Sequence, residues 1–218
     1  MDLKKLFSGI FTSGAQSLTE GSIPLLLTRF AIPYMVANLL QALYGAADMI
    51  IVGQFTDAAG LSAVSIGSQF IFMINSIVIG LSMGGTIMIA QFIGARRQQE
   101  VERTVGTMFT LYAIAGAAIT VIMLLINPWV LRLMQTPADC YGEALAYLNI
   151  CMGGTLFIVG YNAVSAVLRG MGDSRHPLIF VGVAAVVNIV LDLVFVGVFH
   201  MGAAGAAWAT IAAQALSL

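Results

Sequence analysis

The sequence predicts an all-α membrane protein, a bundle of six transmembrane helices. Three observations lead there. The 218 residues are 60% hydrophobic and only 9% charged, with a mean hydropathy of +0.97. Soluble domains carry about 25% charged residues, so too few charges remain here to cover a water-facing surface. The apolar residues also fall in runs of about twenty or more, the length that crosses a bilayer core as a helix. Finally, the polar residues inside those runs keep helical spacing. Asn188 and Asp192 are four apart, and Tyr34, Asn38, Gln41, Gly45 and Asp48 follow steps of four, three, four and three, which is one helical face.

Residues 1–23 read as a cytoplasmic amphipathic segment, with Lys4 and Lys5 among Leu3, Leu6, Phe7, Ile10 and Phe11, suited to a membrane surface. They lack the long apolar core of a cleavable signal peptide. Residues 24–218 hold the six-helix unit. Ser22-Ile23-Pro24 is a helix start. The first helix, 24–52, is about 43 Å long, longer than the hydrocarbon core, so it tilts, bends or protrudes. Pro33 cannot donate to the Arg29 carbonyl and marks a bend. A polar turn with Asp57 leads to a second helix over 61–94, where Gly80, Gly84 and Gly85 permit close approach. A charged connector, 94–103, precedes a third helix over 104–126, ended by Asn127-Pro128-Trp129. The fourth helix covers 139–168 and carries Tyr147. A second charged loop, 169–177, leads to the fifth, 177–199. The sixth begins near Ala203, and the sixteen residues left to Leu218 fall short of the ~20 a span needs. It reads as cut short, in a fragment or truncated product.

If six helices alternate, Lys4, Lys5, Arg29, Arg96, Arg97, Arg103, Arg169 and Arg175 share one side, and Arg132 alone lies on the other. The excess of positive loops puts the N-terminus in the cytoplasm. Asp48 and Asp192 then lie at similar depth, in the outer halves of the first and fifth helices.

A carboxylate within a transmembrane helix costs about 2.5–3.5 kcal/mol on insertion scales, and such groups usually face a bundle interior or a watery cavity. A structural alternative is a polar pair that hydrogen-bonds a neighbouring helix. Two acids in low dielectric cannot both ionise easily, so a facing pair is suited to loading and releasing H⁺. Na⁺ would want several oxygen ligands, which Asp48, Asn188, Asp192 and Ser165 offer. The residues leave H⁺ and Na⁺ open. Of the twelve Met, most read as packing. Nothing points to nucleic acid, since no basic patch is interleaved with aromatics. No cofactor is expected. Cys140 and Cys151 lack metal-ligand spacing, and His176 and His200 read as solvated loop histidines. Gly170-Met171-Gly172-Asp173 fits the GxGD of intramembrane aspartyl proteases, but here Asp173 falls in a charged loop, outside the context that chemistry needs.

Several stretches together resemble the N-terminal lobe of multidrug and toxic compound extrusion (MATE) transporters, in the DinF-like bacterial branch. They are residues 39–44 (Leu-Leu-Gln-Ala-Leu-Tyr) with Asp48 and Ile51-Val52-Gly53, then Gly84 through Gln91 to Gly94-Ala95. Leu168-Arg169-Gly170 with Gly172-Asp173 follows, and last the pair Asn188 and Asp192. The resemblance covers nearly the whole chain. It implies one lobe of a two-lobe, twelve-helix antiporter in the bacterial cytoplasmic (inner) membrane. Such proteins export cationic or amphiphilic small molecules, driven by H⁺ or Na⁺. It implies an ion-coupling and substrate cavity with Asp48, Asn188, Asp192 and Tyr147. The polar face of the first helix, with Tyr34, Asn38, Gln41 and Tyr44, is expected to line the same cavity. Ser165 stands where the family often has Asn, Gly45 where Asn is frequent, and Leu193 where Pro is frequent. A lipid-linked oligosaccharide flippase of the same superfamily is the alternative. It would want a basic cavity for phosphate, and no basic residue lies within any predicted helix beyond Arg29.

Overall fold

Without water in a bilayer core, each backbone N–H and C=O must be satisfied inside its own segment, and these apolar runs can do that only as helices. The structure, a computed structural model, describes residues 22–218. The amphipathic segment expected before them, with Lys4 and Lys5, lies outside the described residues. The helices are α1 (Ile23–Phe55), α2 (Ala58–Gly94), α3 (Gln98–Leu133), α4 (Tyr141–Gly153), α5 (Thr155–Gly170) and α6 (Arg175–Asp192). A π-helical segment (Leu193–Val198) continues α6, and α7 (Gly202–Leu216) follows. By length and composition α1, α2, α3 and α6 with its π segment can each cross a membrane. Taken as one broken span, α4 and α5 make a fifth. At 15 residues, α7 is shorter than a span needs.

Three expectations are corrected. The fourth helix is not continuous. It breaks at Gly154, where α4 and α5 meet at a bend of 49°. A Cβ at Gly154 would run into the Ile211 side chain, so α7 packs into the bend because no side chain fills it. The third helix does not stop at Asn127-Pro128-Trp129 but runs to Leu133. Buried Asn127 donates from Nδ2 to Asn149 Oδ1 at 2.9 Å, and the Tyr141 hydroxyl donates to the Pro128 carbonyl at 3.1 Å. Those bonds tie the stretch around the proline to α4. The fifth helix changes register after Asp192, and Phe199 N–H donates to Val194 O, five residues back, at 2.9 Å.

Lipid offers helices no hydrophobic drive to associate, so close packing of small residues takes that role. In α7, Ala203, Ala206, Ala207, Ala209 and Ala213 are all buried. Ala203, Ala206 and Ala207 pack where Val52, Val64, Leu148 and Met152 form the largest core cluster. A second cluster holds Ile89, Met108, Tyr112 and Val159. A third joins Ala37 of α1, Tyr161 of α5 and Val181 of α6. Large apolar side chains such as Phe72, Leu125 and Val186 are exposed, as expected of a multi-pass membrane protein whose outer surface meets lipid tails.

The loop between α5 and α6 is pinned by Asp173. Its Oδ1 accepts from Arg175 N at 3.0 Å and His176 N at 3.2 Å, and Oδ2 pairs with the His176 ring. His176 is therefore exposed but partnered, and Asp173 serves as a helix-start anchor. Burial pushes the Asp173 carboxyl up, but the bonds from the His176 ring and the two backbone amides outweigh it and hold the group below its ordinary value of 3.8. A carboxylate with a lowered folded pKa stabilises above its unfolded value and loses that contribution as pH falls through the folded one. Asp173→Ala is expected to cost about 1 kcal/mol at neutral pH, as helix-start anchors do. The gap to the parent should narrow as pH drops below 3.8, read by thermal unfolding of the detergent-solubilised chain at both pH values.

Candidate ion and substrate site

The contact of Ala37 with Val181 and Tyr161 sets α1 beside α6, and the site is what that pairing brings together. Asp48 is 7% exposed, Asn188 1% and Asp192 0%. The two carboxyl groups lie within electrostatic reach of each other, and among the described residues Asp48 is the one charged group acting on Asp192. No hydrogen bond reaches Asp48 Oδ1, either Asp192 oxygen, or either polar atom of the Asn188 amide. A buried polar group left unsatisfied costs about 1–3 kcal/mol, and native proteins leave few such groups. Five of them within one turn of α6 and its partner on α1 make a locus arranged for something other than a neighbouring side chain.

The surrounding wall is phenolic and amidic. Tyr44, one turn before Asp48, faces Asp48, Tyr161, Gln214 and Asp192. With Ala184, Asn188, Thr210, Ala213 and Gln214 it lines a narrow recess. Tyr147 is 2% exposed. Its hydroxyl lies 3.1 Å from Ser68 Oγ, within electrostatic reach of Asp48, Tyr44 and the Cys151 thiol. Gly67 packs so closely on the Tyr147 ring that a Cβ there would overlap it.

The residues named from the sequence separate into groups. Tyr44, Asp48, Tyr147, Asn188 and Asp192 come together. Ser165 is fully buried but faces Tyr161, not the acids, and its Oγ makes no hydrogen bond. Tyr34, Asn38 and Gln41 are exposed on α1, while Gly45 is half-buried and Asp48 buried. The face expected on the first helix is thus a lane running from the surface into the acid pair. Three neighbours were not anticipated. Thr210 and Gln214 stand four apart on α7, the same spacing that singled out Asn188 and Asp192, in a helix otherwise made of small and apolar residues. Ser68 carries no such signal.

Comparison with known proteins follows the same outline. The MatE family profile matches residues 33–194. The probable multidrug resistance protein YpnP of Bacillus subtilis is 32% identical over 203 residues, covering 93% of this chain and 46% of that protein. The DNA damage-inducible protein F of Escherichia coli is 27% identical, covering 88% of this chain and 42% of its own length. A solved structure described as the outward-facing conformation of a multidrug resistance MATE family transporter superposes with a TM-score of 0.87 at 30% identity. It covers 94% of this chain and 45% of the other. The chain spans about half the length of the curated relatives it matches.

Proposed function

Because the chain belongs to the MATE family of multidrug efflux transporters, which are not enzymes, we propose that it is one six-helix lobe of a cation-coupled antiporter. The complete protein would pair it with a second six-helix lobe and export cationic or amphiphilic drugs and metabolites. It sits in the bacterial cytoplasmic membrane with its N-terminus in the cytoplasm. The observation that carries this reading is the acid pair. Asp48 on α1 and Asp192 on α6 are buried within electrostatic reach of each other, and Asp48 Oδ1 and both Asp192 oxygens lack a hydrogen-bond partner.

H⁺ or Na⁺ is the coupling ion. A proton taken up by the pair removes the repulsion between two nearby carboxylates. A Na⁺ ion would draw on the oxygens of Asp48, Asn188 and Asp192, so one locus suits either ion. Ion and cationic substrate compete there for the same negative charge, which is the differential interaction an exchange cycle needs. The two lobes then rock around the cleft between them, alternating access. Tyr34, Asn38 and Gln41 line the approach, and Tyr44 and Tyr147 wall the inner end. Ser165 backs Tyr161.

The test reconstitutes the two-lobe protein in liposomes and follows ethidium export under an imposed pH or Na⁺ gradient. Export driven by one of the two gradients is expected. Export indifferent to both would overturn the coupling. Labelling of single cysteines tests the orientation: positions 97 and 175 are expected to react from the cytoplasm, and 57 and 132 from outside.

A further inference from the structure

The acid pair does not use Arg169, and its surroundings are unusual. It lies half-buried in the last turn of α5. Its guanidinium sits over the ring of Tyr34 on α1, 5.8 Å from the centroid. Among the described residues no carboxylate pairs with it. Its charge also reaches the phenols of Tyr112 on α3 and Tyr161 on α5. A cation at a helix C-terminus is favourable, and Arg in this loop region fits the topology. Those two facts account for a positive charge at 169. Neither accounts for a guanidinium turned onto an aromatic face of another helix.

Tyr34 is also the foot of the lane on α1. It is 41% exposed, with Asn38 and Gln41 exposed above it. Asp48 stands about 21 Å further along the helix axis. An organic cation arriving at this end meets the Tyr34 ring before any carboxylate, and finds another cation already on it. On the export reading above, on which this inference rests, we infer that Tyr34 and Arg169 form a displaceable cation–π latch. The Tyr34 ring is the first platform for planar aromatic cations, and Arg169 is the resident that such a cation must displace. A cation–π contact at an exposed ring changes occupancy about two-fold to five-fold, weak enough to exchange. Delocalised planar cations compete for a ring face, while strongly hydrated point charges do so poorly. The latch therefore sorts cations by shape at the mouth of the lane, before charge is read at the acid pair.

The experiment titrates this chain, in lipid nanodiscs, with ethidium and follows its fluorescence. Arg169→Met is expected to tighten binding about two-fold to five-fold, because the resident cation is gone. Tyr34→Phe keeps the ring and should bind about as the parent does, whereas Tyr34→Leu should bind more weakly. In the Tyr34→Leu background Arg169→Met should bring no gain, since the two changes act on one contact. Arg169→Lys serves if the Met variant does not fold. It keeps the charge, loses the planar stack, and should give a smaller gain of the same sign. A purely structural Arg169 would yield weaker or unchanged binding in both variants, and that result overturns the latch. Asp48→Asn separates the two readings. If it weakens ethidium binding while the Arg169 variants change nothing, the latch fails and the acid-pair site stands. If the Arg169 variants tighten binding while Asp48→Asn has no effect, the latch stands and the acid-pair reading fails.

Discussion

Asp192→Asn in the complete two-lobe protein is expected to reduce ion-driven export to the background of empty liposomes while expression and folding stay near normal. Asparagine keeps the size of the side chain and much of its hydrogen bonding but cannot ionise, so the substitution removes charge alone. Asp192 is fully buried and both of its oxygens lack partners. An uncompensated buried carboxylate destabilises, so the thermal midpoint should hold or rise slightly. Asp48→Asn should give the same loss. If the two acids act as one site, the double variant should be little worse than either single one. Asn188→Ala should be milder, because it removes an oriented dipole and not a charge. A purely interhelical role for the pair predicts another order, with both Asp→Asn variants tolerated and Asn188→Ala less stable. Export by both Asp→Asn variants at parental rates, under both gradients, would sink the coupling role.

Gly67→Ala should destabilise the bundle although it adds a single methyl group. A Cβ at Gly67 would overlap the Tyr147 ring. That ring is rigid, 2% exposed, and tied through its hydroxyl to Ser68, so it has no room to swing away. Overpacking of this kind costs about 1–3 kcal/mol. The better helix propensity of alanine returns about 1 kcal/mol, leaving a net loss of up to about 2 kcal/mol. Gly80 on the same helix is the control. Nothing lies within 4 Å of a Cβ placed there, so Gly80→Ala should be neutral or stabilising by up to about 1 kcal/mol. Thermal unfolding of both variants in one detergent makes the comparison. A stable Gly67→Ala would mean that the Tyr147 wall yields to an added methyl group.

The contrast between these two glycines is also why some of this fold was open to reading from the sequence and some was not. Asp48, Asn188 and Asp192 stood out because a polar group in an apolar run is costly, and their periodicity put each on a definable face. The length of the apolar runs gave the helical class for the same reason. Tyr147 came from the family resemblance, not from any physical signal of its own. What stayed hidden depends on tertiary partners. Pro128 reads as a helix end until Asn149 and Tyr141 are known to hold the turn around it. Gly154 reads as one more small residue until Ile211 is placed against it. Ser68 matters only through the phenol it meets. Thr210 and Gln214 carried a readable spacing, but they lay in a helix judged by its length and not by its polar residues.

The π-helical segment after Asp192 holds a spare residue. A π turn holds one residue more than an α turn closed over the same stretch, and each residue of an α-helix advances the azimuth by about 100°. The six residues Leu193–Val198 therefore hold one residue more than an α turn would need there. Deleting one residue would let the stretch close as an ordinary α turn, with Asp192 at its depth and the turn at His200 nearly in place. The same deletion just before Asp192 would carry the acid about 100° off its face. The segment is thus slack in the chain, and a one-residue gap costs the recess far less there than one turn earlier.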